Sequence, residues 1–156
     1  MYHIRVRACA LIIEKNSILL VEFDDENGLH FNLPAGGAEP GESIIEAVKR
    51  EAREEANVEV EVGPLAFAYE YAPHFNSYIY GKGHSLSLMF ECRITSGRPS
   101  LPEKPDLNQT NVKWIELEKL EEIVLYPNIK DEIKEYAKNK RNIELIEECR
   151  LKKYGS

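Results

Sequence analysis

Between Ser43 and Asn57 the chain specifies a helix that carries Glu51, Glu54 and Glu55 on one strip of its surface. Residues at i, i+3 and i+4 are neighbours on a helix, and like charges at that spacing cost roughly 0.2–0.5 kcal/mol per pair. A divalent cation removes the cost, because hard ions such as Mg2+ take carboxylate oxygens. The helix itself is well marked. Ser43 with Glu46 reads as a capping box before the apolar Ile44, Ile45 and Val48. Asn57 stands just past the last helical residue, where the backbone often turns left-handed. At about 100° per residue, Ile44, Ile45, Val48, Ala52 and Ala56 fall in one arc, the expected buried stripe, with Glu46, Lys49 and Arg53 roughly opposite. The three glutamates take neither place and gather on one flank, with Ala47 among them. Alone they would also fit a bland acidic flank, since charge runs on helices are common.

The preceding residues favour a site. Phe31 to Glu42 is rich in Gly and Pro and reads as a loop that delivers a fourth carboxylate, Glu42, to the helix start. Glycines there let backbone approach an ion or a phosphate closely. A P-loop needs Lys-Ser/Thr after its last glycine, and here Glu42-Ser43 follow, so that reading fails.

Gly36, five residues, Glu42, seven residues, then Arg50-Glu51-Ala52-Arg53-Glu54-Glu55-Ala56-Asn57-Val58 resembles the Nudix box. Ala52 stands where the box has a bulkier aliphatic residue and Asn57 where it has Gly; no charged position departs. The resemblance extends through about Lys138. It implies an α/β fold, the α/β/α Nudix sandwich with a mixed β-sheet, and a Mg2+-dependent pyrophosphohydrolase, with Mn2+ as the alternative ion. It implies metal ligation by Glu51, Glu54, Glu55 and the backbone carbonyl of Ala35. Glu51, Glu54 and Arg50 are the candidate catalytic residues. Arg50 either orients Glu51 or its neighbours by a charge-assisted hydrogen bond or pairs with Glu46 at i−4. Glu42 is open between a metal ligand and a bridge to the loop. Glu91 and Glu103 are candidates for a general base outside the box.

The remainder fits a single domain of 156 residues, 43% hydrophobic and 30% charged. Its longest apolar run, Ala8 to Ile13, is too short to span a bilayer, and no secretory leader is visible, so a cytoplasmic location is expected. Cys9, Cys92 and Cys149 are odd in number and widely spaced, which suits reduced thiols better than a disulfide or zinc framework. Strands are expected at Arg5–Glu14, Ser17–Phe23, Glu59–Val62, Leu65–Tyr71, Leu86–Ile94 and Val112–Leu117, with a tight turn at Lys15-Asn16. Two helices, Ile129–Lys140 and Ile143–Lys153, are expected to close the chain, the second free to pack on its own domain or on a partner in a homodimer.

A net charge of −7 excludes nucleic-acid binding through a basic surface, but a small phosphorylated, nucleotide-type substrate can bind through the field of metal ions. Arg7 and Tyr71 are the candidate substrate-binding residues. Arg5 and Arg7 alternate on the first strand and reach phosphates or face solvent. Tyr69, Tyr71, Phe75, Tyr78 and Tyr80 form the densest aromatic segment, fit either for stacking or for the core. His74 and His84 border the same loop, and Trp114 is expected against the sheet. Pro73 falls close to where ADP-ribose-hydrolysing relatives carry a proline. The expected substrate is a nucleoside diphosphate linked to another moiety, such as ADP-ribose or a nucleotide sugar. The alternatives are a house-cleaning nucleoside triphosphate pyrophosphohydrolase and a non-catalytic nucleotide-sensing module, which usually lacks box carboxylates.

Overall fold

Strand β1 (Ile4–Leu11) sets the architecture, because it is apolar on both faces where it matters. Ala8 and Ala10 point to one hydrophobic cluster, with Val48, Ala52 and Ala56, while Cys9 and Leu11 point to a second, with Ile133 and Tyr136. This alternation is the period-2 signature of a strand covered on both sides. The computed structural model describes residues 2–141 and 143–155.

Helix α1 (Ile44–Ala56) covers the first cluster and α2 (Lys130–Lys138) the second. Between them lie two sheets. One has the order β5 (Ala35–Gly37), β1, β7 (His84–Gly97), β6 (Val58–Tyr71), β9 (Glu144–Glu147). In it β1–β7 and β6–β9 are parallel and the other pairs antiparallel. In the other, β3 (Ser17–Asp25) is flanked by β2 (Ile13–Glu14), β4 (Gly28–Asn32) and β8 (Gln109–Glu116). The expected α/β/α sandwich with mixed strand directions is therefore present. Lys15 and Asn16 both take positive φ (49° and 61°), as a two-residue hairpin turn requires.

Several expectations are corrected. The segment 143–153 is not a helix: it forms β9 followed by a 3-10 turn, Glu148–Arg150. Asn142, which precedes its expected start, lies outside the described residues. Tertiary pairing overrides helix propensity here. The edge of β6 takes up the segment in register Phe67↔Glu144 through Glu70↔Glu147, and Ile146 is buried in the α2-side cluster. The stretch expected as a loop between Phe31 and Glu42 begins with the last two residues of β4 and contains β5. The two strands expected at 59–62 and 65–71 are one strand, β6, with irregular pairing around Gly63-Pro64. Ile45 is 37% exposed and Ala47 is fully buried, so α1 is rotated toward its glutamates. Trp114 is also exposed rather than packed against the sheet.

Candidate active site

The start of α1 is fixed by a complete capping box. Ser43 Oγ accepts from the Glu46 N–H at 3.1 Å, and Glu46 Oε2 accepts from the Ser43 N–H at 3.0 Å. Its end is fixed by Asn57, left-handed at φ 61°. Between these caps, β5 pairs with β1 and lies beside the helix, with Ala8 opposite Gly36 and Cys9 opposite Ala35. A side chain at Gly36 would collide with the Glu51 carboxylate, and one at Gly37 with the Arg5 guanidinium. The glycines leave the space that these two side-chain ends occupy.

Arg50 organises the carboxylates. Its Nε and Nη2 donate to the two oxygens of Glu42 at 3.0 and 2.7 Å, and Nη2 also donates to the Gly37 carbonyl at 3.0 Å. Nη1 donates to Glu51 at 2.7 Å and to Glu54 at 3.2 Å. These bonds, Glu42 first, raise the Arg50 pKa, and the same guanidinium holds the Glu42 carboxyl below its usual range. Glu42 also accepts from the Glu39 N–H at 2.9 Å, so it bridges helix and loop. The alternative Arg50–Glu46 pair does not form; Glu46 is the capping residue.

Glu51 and Glu55 are buried, whereas the Glu54 side chain is 59% exposed. Burial raises the Glu51 carboxyl above its usual range, against the opposing effect of Arg50. Burial, reinforced by the Asp106 carboxyl, pushes Glu55 up to about 9, although the Ala35 N–H donates to it at 2.7 Å. Asp106 is not among the residues that the sequence singles out. It sits in the Pro-rich connection and is tied to α1 through Gln109, whose Nε2 donates to the Glu55 carbonyl at 2.9 Å and whose Oε1 accepts from the Asp106 N–H at 3.1 Å. The sequence carries no signal for it, because the link runs through a contact between remote segments.

These groups line a cavity of about 370 Å³, in which Glu39, Glu51, Glu54, Glu55 and Asp106 face Arg5, Arg7 and Arg50. Among the described residues, no three acidic, histidine or cysteine side chains already stand at metal-ligating spacing. The donor set nevertheless fits a divalent ion in kind: hard oxygens, two of them on buried carboxyls, with acids outnumbering arginines.

A second cavity, of about 750 Å³, adjoins it, and Arg5, Arg7 and Asn32 line both. Arg7 Nε and Asn32 Oδ1 are buried without a hydrogen-bond partner. Tyr69, Tyr71, Tyr80, Tyr126 and His30 supply its aromatic walls. The Tyr71 hydroxyl is engaged, donating to the Gly81 carbonyl at 2.7 Å and accepting from the Tyr80 N–H at 3.1 Å, so it positions the 78–83 turn. His84 lines the cavity with Nε2 2.8 Å from Glu70. Phe75, Tyr78, His74 and Pro73 line neither cavity. Glu103 is exposed and outside both, and Glu91 is held by Tyr136 and Lys140 beside α2, so neither reaches the box carboxylates.

Residues 1–138 match the family model described as a NUDIX domain. The chain is 32% identical over 117 residues to the 8-oxo-dGDP phosphatase NUDT18 of Homo sapiens, covering 71% of this chain and 33% of that protein. It thus spans about a third of that relative's length. It is 33% identical over 99 residues to the nucleoside triphosphatase NudI of Escherichia coli, covering 56% of this chain and 67% of the relative. A NUDIX hydrolase structure from Nitrosomonas europaea superposes with a TM-score of 0.72 at 26% identity, covering 99% of this chain and 100% of that one.

Proposed function

The chain belongs to the NUDIX family of hydrolases, and on that footing we propose that it cleaves a phosphoanhydride bond in a nucleoside diphosphate linked to a second moiety. The observation that carries this reading is that Arg5, Arg7 and Asn32 line both cavities. A nucleoside occupies the larger, aromatic-walled one, and its pyrophosphate lies at the arginines, beside the carboxylates. The Arg7 guanidinium, which lines both cavities, donates to a phosphate oxygen.

Glu51, Glu54, Glu55 and the Ala35 carbonyl would hold Mg2+ or Mn2+, which neutralises phosphate charge and acidifies water. Arg50 donates to both Glu51 and Glu54 and so holds the two carboxylates side by side. Glu54 is the most solvent-accessible of the three. Arg50 occupies its Oε2, which leaves Oε1 to take a proton from the attacking water.

The names of the two curated relatives favour a second reading, in which the substrate is a nucleoside di- or triphosphate. A Mg2+-supplemented panel of ADP-ribose, nucleotide sugars and nucleoside di- and triphosphates, with products resolved by chromatography, separates the two. Loss of activity by ~100-fold or more in Glu54→Gln supports the enzyme reading. Equal turnover by that variant removes Glu54 as the base, and turnover of nothing by the unaltered protein favours a sensor.

A further inference from the structure

Glu148 lies ten residues beyond the end of the family match, in the 3-10 turn that follows β9, yet it lines the larger cavity. It is 6% exposed. Its Oε1 accepts from the Tyr69 hydroxyl at 2.7 Å. Among the described residues no lysine or arginine pairs with it, and no donor reaches its second oxygen. Burial raises its pKa, with only the Tyr69 bond opposing. A desolvated carboxyl with one neutral partner is costly to stability, and such groups are ordinarily paired.

We propose that Glu148 is a specificity-determining residue, whose Oε2 accepts a hydrogen bond from a donor on the nucleoside half of the substrate. The donor is a base N–H or a sugar O–H. This rests on the functional reading above and deepens it. A carboxylate repels phosphate oxygens, whereas Arg5 and Arg7, lining the same cavity, attract them. The cavity is therefore polarised. Phosphates go to the arginines and the carboxylates of α1, and the donor-bearing half goes to Glu148. Tyr69 holds Oε1 in place, which leaves Oε2 as the acceptor available to a ligand. β9 supplies the rigidity, since its pairing with β6 ends at Glu70↔Glu147, one residue before Glu148.

The test is steady-state kinetics of the unaltered protein, Glu148→Gln and Glu148→Asp on guanosine, inosine and 2′-deoxyguanosine nucleotides, with inorganic tripolyphosphate as a substrate lacking the nucleoside. Removing the acceptor raises KM for the donor-bearing nucleotide ~10-fold or more while kcat changes little, because a buried polar site rejects a ligand whose partner is lost. Tripolyphosphate hydrolysis is unchanged. If the inosine nucleotide is insensitive to the substitutions, the donor is the base amino group; if the deoxynucleotide is, the donor is the sugar hydroxyl. Unchanged KM for every nucleotide in both variants overturns the proposal while leaving the functional reading intact. Should the unaltered protein turn over none of these nucleotides and neither ADP-ribose nor a nucleotide sugar, the functional reading fails. Calorimetric binding of guanosine monophosphate then decides the role of Glu148, and equal affinity in all three proteins, or none in the unaltered one, overturns it. The thermal midpoint of each variant reports folding, and Glu148→Asp retains the charge if Glu148→Gln does not fold.

Discussion

The two ends of the cleft are built differently. At the box end, partners are close in sequence: Arg50 reaches Glu42 eight residues away, and Glu55 reaches Ala35 twenty residues away. At the opposite end Glu148 reaches Tyr69 across 79 residues. The box end is an almost closed network of charge-assisted bonds around one arginine. The far end is held by strand pairing and leaves a carboxyl with spare accepting capacity. The comparison teaches that the box carboxylates and the arginine that binds them come from one contiguous segment, whereas the half facing the nucleoside depends on how remote segments meet. Recognition can therefore change without disturbing the segment that carries the chemistry.

Gly36→Ala should disturb the box end most. The added methyl drives the Glu51 carboxylate from its place, and displacement on the scale of an ångström lowers kcat/KM by ~100-fold. Unchanged kinetics would show that Glu51 has room to move. The pH dependence of stability then separates the two ends. Glu51, Glu55 and Glu148 all have folded pKa values raised above 4.5, so the native state keeps protons that the unfolded chain releases. With respect to these groups, the metal-free protein is accordingly most favoured at and below pH 4.5, and its melting temperature falls as pH rises from there toward 9. Saturating Mg2+ should remove the share due to Glu51 and Glu55, while Glu148→Gln removes the rest. A flat metal-free profile would refute the burial argument at both ends.

Arg50→Lys is expected to cost ~10-fold in kcat, because an ammonium cannot reproduce the paired bonds to Glu42 while also reaching Glu51 and Glu54. Equal activity would reduce Arg50 to a point charge. Ser43→Ala is the smallest change. Loss of the cap costs ~1 kcal/mol in denaturant unfolding and leaves KM for every nucleotide unaltered.

Helix α1 was legible because its signals are local: a cap at Ser43, a left-handed terminator at Asn57 and apolar spacing between them. Its exact facing was not, since Ile45 turns out to solvent while Glu51 and Glu55 turn in against β5. β5 itself was hidden, because Ala35-Gly36-Gly37 has the composition of a turn and becomes a strand only by pairing with β1. Asp106 was missed for the same reason: its place beside Glu55 is made by Gln109, and nothing near it in sequence reveals that link.

The amino-acid order by itself determined the acidic helix, its caps and the glycine approach, because each depends on partners within about twenty residues, whereas the choice of Arg50's partners was settled by the structure. Only the tertiary structure decided that 144–147 is a strand, that Arg5 and Arg7 bridge two cavities, and that Glu148 faces one of them. Backbone pairing between distant segments outweighs the weak local preferences that sequence patterns report.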